Sequence, residues 1–317
     1  MADRPSSAAR AVGALALAGA GALAWGALVE VRWYALRQVA VPVLPPGQRP
    51  LRVLHISDLH LTPAQRRKVD WVRDLATWRP HLVVNTGDNW AHLDAMPTLL
   101  EALEPLLAVP GAFVLGSNDF VGPQPKNPAR YLLPDARTTA VDPVNLPWRE
   151  LVARFTGAGW LDLDNHRGAL DLDGRRVSLV GTGDAHLGRD EMPPAGGADD
   201  ARTAGEVDLH LGVTHAPYRR VLDAFHADGV DLAIAGHTHG GQIGVPFLGA
   251  LTTNSDLDAA RAKGLHGWPA ARPDRSGGAE SMWLHVSAGL GTSPYAPVRF
   301  ATRPEATLLT LVAASPS

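Results

Sequence analysis

The chain has 317 residues, of which 45% are hydrophobic, 19% charged and 6% aromatic, with no cysteine and a formal net charge of -3. This apolar content supports a packed core and excludes a disordered chain, and the near-neutral balance offers no basic stripe for nucleic acid, so no nucleic-acid partner is expected. Without cysteine there are no disulfides, thiolate zinc sites, iron–sulfur clusters or cysteine nucleophiles, so any metal must sit on His, Asp, Glu or Asn.

Between Arg10 and Glu30 lie 19 uncharged residues, Ala11 to Val29. At about 1.5 Å per residue they make roughly 28 Å of helix, close to the hydrocarbon thickness of a bilayer. The expectation is a tail and single-pass membrane anchor over residues 1–38, with Trp25, Trp33 and Tyr34 at the interface. A cleaved signal peptide is the competing reading. Arg4 and Arg10 precede the run and Arg32 and Arg37 follow it, which leaves the orientation open. Residues 39–50, VAVPVLPPGQRP, read as an extended Pro-rich linker to a domain over 51–317.

The domain opens with LRVLHIS, residues 51–57, an apolar run typical of a buried strand. An amphipathic helix follows over about Ala64–Trp78, with Val69, Val72, Leu75 and Ala76 on one face. A strand is expected at Leu82–Asn85, a helix at Thr98–Leu107 and a strand at Ala112–Leu115. This strand–helix alternation is the pattern of a parallel α/β sheet. Residues 120–147 read as a long loop, Arg149–Gly157 as a helix, and Leu170–Gly181 as a hairpin turning at Asp173-Gly174. Residues 188–206 read as a surface insertion and 256–281 as a second one. Strand signals recur at Leu209–Val213, Leu232–Ala235, Trp283–Ser287 and Thr307–Val312.

The polar residues fall where these strands end. Asp58 and His60 follow the first strand, Asp88 the second and Asn118 the third, at intervals of 30 residues. Polar groups at the carboxyl ends of successive parallel strands converge on one edge of the sheet. His215 follows LHLGVT, and His237 and His239 follow DLAIAG. Such oxygen and imidazole donors suit Mn, Fe, Zn or Ni. Seven of them exceed what one ion needs, and two ions about 3.5–4 Å apart can clamp both oxygens of a phosphoryl displacement.

The ordered set Asp58-Leu59-His60, Gly87-Asp88-Asn89, Gly116-Ser117-Asn118-Asp119, His215 and Gly236-His237-Thr238-His239 resembles the calcineurin-like metallophosphoesterase superfamily. The blocks SDLHL, TGDN, GHTHGGQ and GLGTSP resemble its bacterial, membrane-anchored branch. The resemblance implies an α/β fold, a layered sandwich of two mixed sheets flanked by helices, behind one transmembrane helix. It implies two divalent ions, one on Asp58, His60 and His239, the other on Asn118, His215 and His237, with Asp88 bridging. The implied reaction is hydrolysis of a phosphodiester or pyrophosphate by a metal-bridging hydroxide. The anchor makes a lipid-linked substrate such as UDP-diacylglucosamine attractive, and no protein partner is implied. The competing reading is a metal-free scaffold of this fold serving as a membrane-tethered binding module.

One block departs from the family. Where the family has Gly-Asn-His-Asp or Gly-Asn-His-Glu, this chain has Gly116-Ser117-Asn118-Asp119. Either Ser117 takes the ligand place and Asn118 that of the His, or Asn118 is the ligand after a one-residue slip. An amide oxygen is the better match to the family's ligand. Without that His, either the leaving group needs no protonation or another histidine such as His186 supplies it. His55 and His285 fall inside strands and read as core or as support for the site, and Asp184 as support. His81, His92, His210, His226 and His266 read as surface or structural, while Arg299 and Arg303 read as salt-bridge or substrate-contact residues.

Overall fold

The computed structural model describes residues 7–125, 144–194 and 207–314. Its strands are β1 (Ala35–Leu44), β2 (Leu51–Ile56), β3 (Leu82–Asn85), β4 (Gly111–Phe113), β5 (Leu161–Asp162), β6 (Arg167–Leu172), β7 (Arg175–Thr182), β8 (Leu209–Thr214), β9 (Leu232–Ala235), β10 (Gly244–Val245), β11 (Gly249–Ala250), β12 (Gly264–Trp268), β13 (Met282–Val286) and β14 (Glu305–Ala313). One six-stranded sheet runs β1-β14-β2-β3-β4-β5, the other β12-β13-β9-β8-β7-β6. Both mix parallel and antiparallel pairs: β2, β3, β4 and β5 pair in parallel while β14 runs antiparallel to β2, and β7, β8, β9 and β13 pair in parallel between antiparallel β6 and β12.

The strand period of two sorts the side chains into layers. Leu51, Val53, Leu82, Val84 and Leu309 of the first sheet meet Val177, Leu179, Leu211, Ile234 and Trp283 of the second in the central core. The intervening residues face outward. Leu54, Ile56 and Val83 pack under α2 (Arg66–Asp74), α3 (Met96–Leu107) and the later helix that holds Leu151 and Phe155. Val180, Ala233 and Leu284 pack under the helix Arg219–Ala227 through Val221, Leu222 and Phe225. The expected two-sheet sandwich flanked by helices is the fold.

Residues 39–44, expected in the linker, belong instead to β1, which lies parallel to β14 over Ala35–Leu44. The prolines of VAVPVLPPGQRP mask an alternating pattern whose Val41 and Leu44 are buried. Pro42 is tolerated because β1 is an edge strand, where a missing N–H need not break a ladder, and the register shifts just after it. The insertion at 256–281 likewise contains β12, an antiparallel partner of β13. Residues 126–143 and 195–206 of the two other expected loops lie outside the described residues.

The N-terminal helix α1 spans Ser7–Leu28, and residues Arg10–Arg32 form a segment long and apolar enough to cross a membrane. Its end is fastened to the domain. Glu30, 4% exposed, accepts hydrogen bonds from the backbone N–H groups of Ala301 (3.1 Å) and Thr302 (2.6 Å) and from Trp25 Nε1 (3.1 Å). Arg299 N–H donates to Gly26 O (3.3 Å).

Candidate metal centre

All seven expected ligands follow the carboxyl ends of strands: β2 for Asp58 and His60, β3 for Asp88, β4 for Asn118, which lies in a short helical turn, β8 for His215, and β9 for His237 and His239. Five of them, Asp58, His60, Asp88, His237 and His239, have positive φ, between 42° and 68°. A side chain there costs free energy that neighbouring structure must hold in place, and such positions gather at functional sites. Close approach explains Gly116, where a Cβ would collide with Asp88 and His215.

Asp58, His60, Asp88 and His239 offer ligand atoms that all lie within 4.8 Å of one another. His60 Nε2 is 3.3 Å from His239 Nε2 and 3.4 Å from Asp88 Oδ2, and His239 Nε2 is 3.5 Å from Asp58 Oδ1. Asp88 also reaches the other group: His215 Nε2 is 3.7 Å from its Oδ1, and His237 Nδ1 is 3.2 Å from His215 Nε2. Asn118 packs on the same carboxylate, its backbone N–H 2.7 Å from Asp88 Oδ1 and its amide 2.6 Å from Oδ2. Asp88 thus stands between two sets of donors.

These residues suit cations. Asp58 Oδ1 and His60 Nδ1 are buried with no hydrogen-bond partner, and an orphaned buried carboxylate oxygen is costly unless positive charge faces it. Three imidazoles set their outer ring nitrogen within hydrogen-bond distance of a backbone carbonyl: His215 Nδ1 of Thr86 O (2.6 Å), His237 Nε2 of Asn254 O (3.0 Å) and His239 Nδ1 of Gly291 O (3.1 Å). Each keeps its other nitrogen on the cluster, the arrangement that fixes tautomer and aim in metal-binding histidines. No residue pattern announces these acceptors in the sequence, because they are main-chain atoms.

Burial sets the charge states. It pushes His60 down to about 4 and holds His237 and His239 well below the usual imidazole range, so all three are neutral and ready to donate a lone pair. Burial also raises Asp58 to about 6. At His215 burial acts downward but is outweighed by Asp88, Asp184 and Asp58, which lift it to about 9. At Asp88 burial acts upward but is outweighed by His215 and His60, and the carboxyl sits below its usual range. The proton on His215 is the positive charge this cluster gathers by itself, and metal binding to such a histidine releases it.

Asp119, which sequence reasoning passed over, ties two loops together. Its carboxylate accepts from the N–H groups of Asp88 (2.8 Å), Asn89 (2.8 Å) and Gly116 (2.9 Å). Of the altered pair Ser117-Asn118, Asn118 is the residue whose side chain reaches Asp88. Ser117 Oγ contacts the Asn118 amide at 3.4 Å. Arg299 is fully buried and donates to the carbonyls of Ala288 (2.7 Å), Gly289 (3.2 Å) and Gly291 (2.6 Å), so it braces the loop behind His239 and is neither a substrate contact nor a surface salt bridge. Arg303 stacks on Trp33 at 4.1 Å. His186 sits at the rim, its ring 4.6 Å from that of His237, and Asp184 accepts from His186 N–H (2.8 Å). Of the other histidines, His210 pairs with Asp228 (2.9 Å), and His81, His92, His226 and His266 make local bonds to main-chain atoms.

A buried chain of hydrogen bonds supports Asp58 from inside the sandwich. Ser57 Oγ donates to Asp58 Oδ2 (2.5 Å), Thr86 Oγ1 to Ser57 Oγ (2.6 Å), His55 Nε2 to Thr86 Oγ1 (2.9 Å) and His285 Nδ1 to His55 Nδ1 (3.0 Å). The carboxylate can only accept, and that fixes every donor upstream and both tautomers. Burial holds both imidazoles well below their usual range, so both are neutral. Thr86→Val removes the hydroxyl and orphans a buried N–H, so urea denaturation should show a loss of about 1–3 kcal/mol, with metal affinity down about tenfold. Thr86→Ser should retain both; equal loss in the two variants would assign the effect to packing.

A family model for the calcineurin-like phosphoesterases matches residues 51–241. The chain is 26% identical over 200 residues to the uncharacterized protein YpbG of Bacillus subtilis (strain 168), covering 62% of this chain and 64% of that one. It is 30% identical over 155 residues to the phosphodiesterase YaeI of Escherichia coli (strain K12), covering 49% of this chain and 48% of that one. The aligned part spans less than two thirds of either relative. Among solved structures, a dimetal phosphatase from Danio rerio aligns with a TM-score of 0.42 at 15% identity, covering 80% of this chain and 90% of that one. The family match covers residues 51–241 and every expected ligand, and on that ground the chain belongs to the calcineurin-like phosphoesterases.

Proposed function

We propose that the chain is a metal-dependent phosphoesterase that hydrolyses a phosphodiester or pyrophosphate bond. The observation that carries this reading is the convergence of six Asp, Asn and His residues on Asp88, with an orphaned buried carboxylate oxygen on Asp58. Asp58, His60 and His239 would hold one ion and Asn118, His215 and His237 a second, with Asp88 touching both. Two divalent ions, of Mn, Fe, Zn or Ni, would supply positive charge for the phosphoryl oxygens and acidify a water. The residues themselves hold the donor atoms in place: the carbonyls of Thr86, Asn254 and Gly291 aim three imidazoles, and Ser57 aims Asp58. Elemental analysis of the purified chain with a bis-p-nitrophenyl phosphate assay tests the reading. About two ions per chain and turnover lost with chelator are expected, whereas no metal and no turnover would leave the scaffold reading.

The membrane segment and its fastened end support a retained single-pass anchor and a lipid-linked substrate, of which UDP-diacylglucosamine is one instance. The His186 ring, 4.6 Å from that of His237, is the candidate to protonate a leaving oxygen, but a phosphate leaving group departs without such help. Rates on a series of diesters with graded leaving groups should fall steeply for His186→Ala only at the poor end. A parallel slope in wild type and variant would remove His186 from the chemistry.

A further inference from the structure

A cavity of about 580 Å³ opens beside the metal centre, with His60 in its wall. One side is the end of the apolar segment, Leu28 and Val31, and another is the start of α2. Its lining residues include the cations Arg32, Arg66 and Arg67, and Lys68, whose amine burial lowers to about 7, and no carboxylate. Arg66 is engaged by Glu101, but neither Arg32 nor Arg67 forms an ion pair among the described residues. Lys68 is 4% exposed and donates to Leu59 O (2.7 Å), and Arg67 is exposed. Uncompensated cations around one space favour an anion, and an apolar wall has no use for a free phosphate ion. The two features together describe an anionic amphiphile.

The height of the cavity relative to a bilayer follows from the same residues. Trp25 and Trp33 stack edge to face at 6.0 Å where the apolar segment ends, and amphipathic rings of this kind settle at headgroup level. Leu15, Leu17, Leu23 and Leu28 of α1 are exposed. The Glu30 and Gly26 contacts fasten the helix end to the 299–302 loop, whose Arg299 braces the loop behind His239. The headgroup plane and the metal centre are therefore held in fixed register.

We propose that this cavity admits the headgroup of an anionic membrane lipid whose acyl chains stay against α1, and that it brings the lipid's phosphoester to His60. The proposal rests on the phosphoesterase reading for its second half only. There, the oxygen of water joins phosphorus, the bond from phosphorus to the leaving oxygen breaks, and that oxygen takes the proton water gives up.

The test uses the full chain in nanodiscs of phosphatidylcholine with 20 mol% phosphatidylglycerol as the probe lipid. Native mass spectrometry after extraction reads how much of each lipid stays bound. The expected result is enrichment of phosphatidylglycerol that Arg67→Glu lowers at least about fivefold and Val31→Trp, which fills the apolar side, also lowers. Glycerol 3-phosphate should not displace the bound lipid. No enrichment, enrichment unchanged in both variants, or displacement by glycerol 3-phosphate at equal concentration would overturn the proposal. Because the readout is bound lipid, enrichment in a chain that carries no metal and hydrolyses nothing would leave the cavity standing and remove the phosphoesterase reading.

Discussion

Asp88→Asn is expected to lower phosphodiester hydrolysis at least about 100-fold and to reduce metal content below two ions per chain. Asp88 reaches imidazoles of both donor sets, 3.4 Å from His60 Nε2 and 3.7 Å from His215 Nε2, and it contributes the largest share of the negative charge that holds His215 above its usual range. Asparagine keeps the volume and one oxygen but brings an NH₂ group that must face Asn118 or an imidazole. It also removes the charge that two cations would share. The fold should tolerate the change, since a buried ionised group is being exchanged for a neutral one and the Asp119 clamp binds the backbone N–H of residue 88, not its side chain. Chelator-treated wild type and variant should therefore melt within a few degrees of each other. The wild type should gain stability when metal is returned, because a ligand that binds only the folded chain stabilises it, and the variant should gain little. Substantial activity in Asp88→Asn would remove the shared-carboxylate role.

How much of this was readable in advance depends on whether the signal lives in side chains. Runs such as LRVLHI and DLAIAG, each soon followed by a polar residue with chemistry, mark a buried strand and its candidate ligand together, so these strands and the seven candidates were legible. β1 was not, because Pro42, Pro45 and Pro46 speak locally for a linker while the alternating valines around them speak for an edge strand, and the pairing with β14 lies some 270 residues away. The same distance hides the contact of His55 with His285, 230 residues apart, although each was legible as an interior residue of its own strand. Arg299 misled in another way. A charge near a polar site invites a substrate role, and only burial among four carbonyl-bearing loop residues reveals a brace. The carbonyls of Thr86, Asn254 and Gly291 were beyond reach altogether, since every residue has one.

Asp119→Ala is expected to destabilise the chain by about 3–5 kcal/mol and to disorder the metal centre before it unfolds the domain. The carboxylate is fully buried and is the acceptor for three backbone N–H groups, those of Asp88, Asn89 and Gly116, and for the Asn89 amide at 3.2 Å. Alanine offers no acceptor at this fully buried position. Each orphaned donor then carries a desolvation penalty of about 1–3 kcal/mol. Two of the three N–H groups belong to the loop after β3 and one to the loop after β4, so the clamp sets the distance between Asp88 and Asn118. Asp119→Asn separates stability from alignment: it restores one acceptor oxygen but presents an NH₂ to a backbone N–H, and should recover about half of the lost stability with less of the metal affinity. Urea denaturation gives the first quantity and titration of chelator-treated chain with Mn²⁺ the second. If Asp119→Ala melts like wild type and binds metal as tightly, the loops after β3 and β4 are held by packing alone, and Asp119 has no part in building the centre.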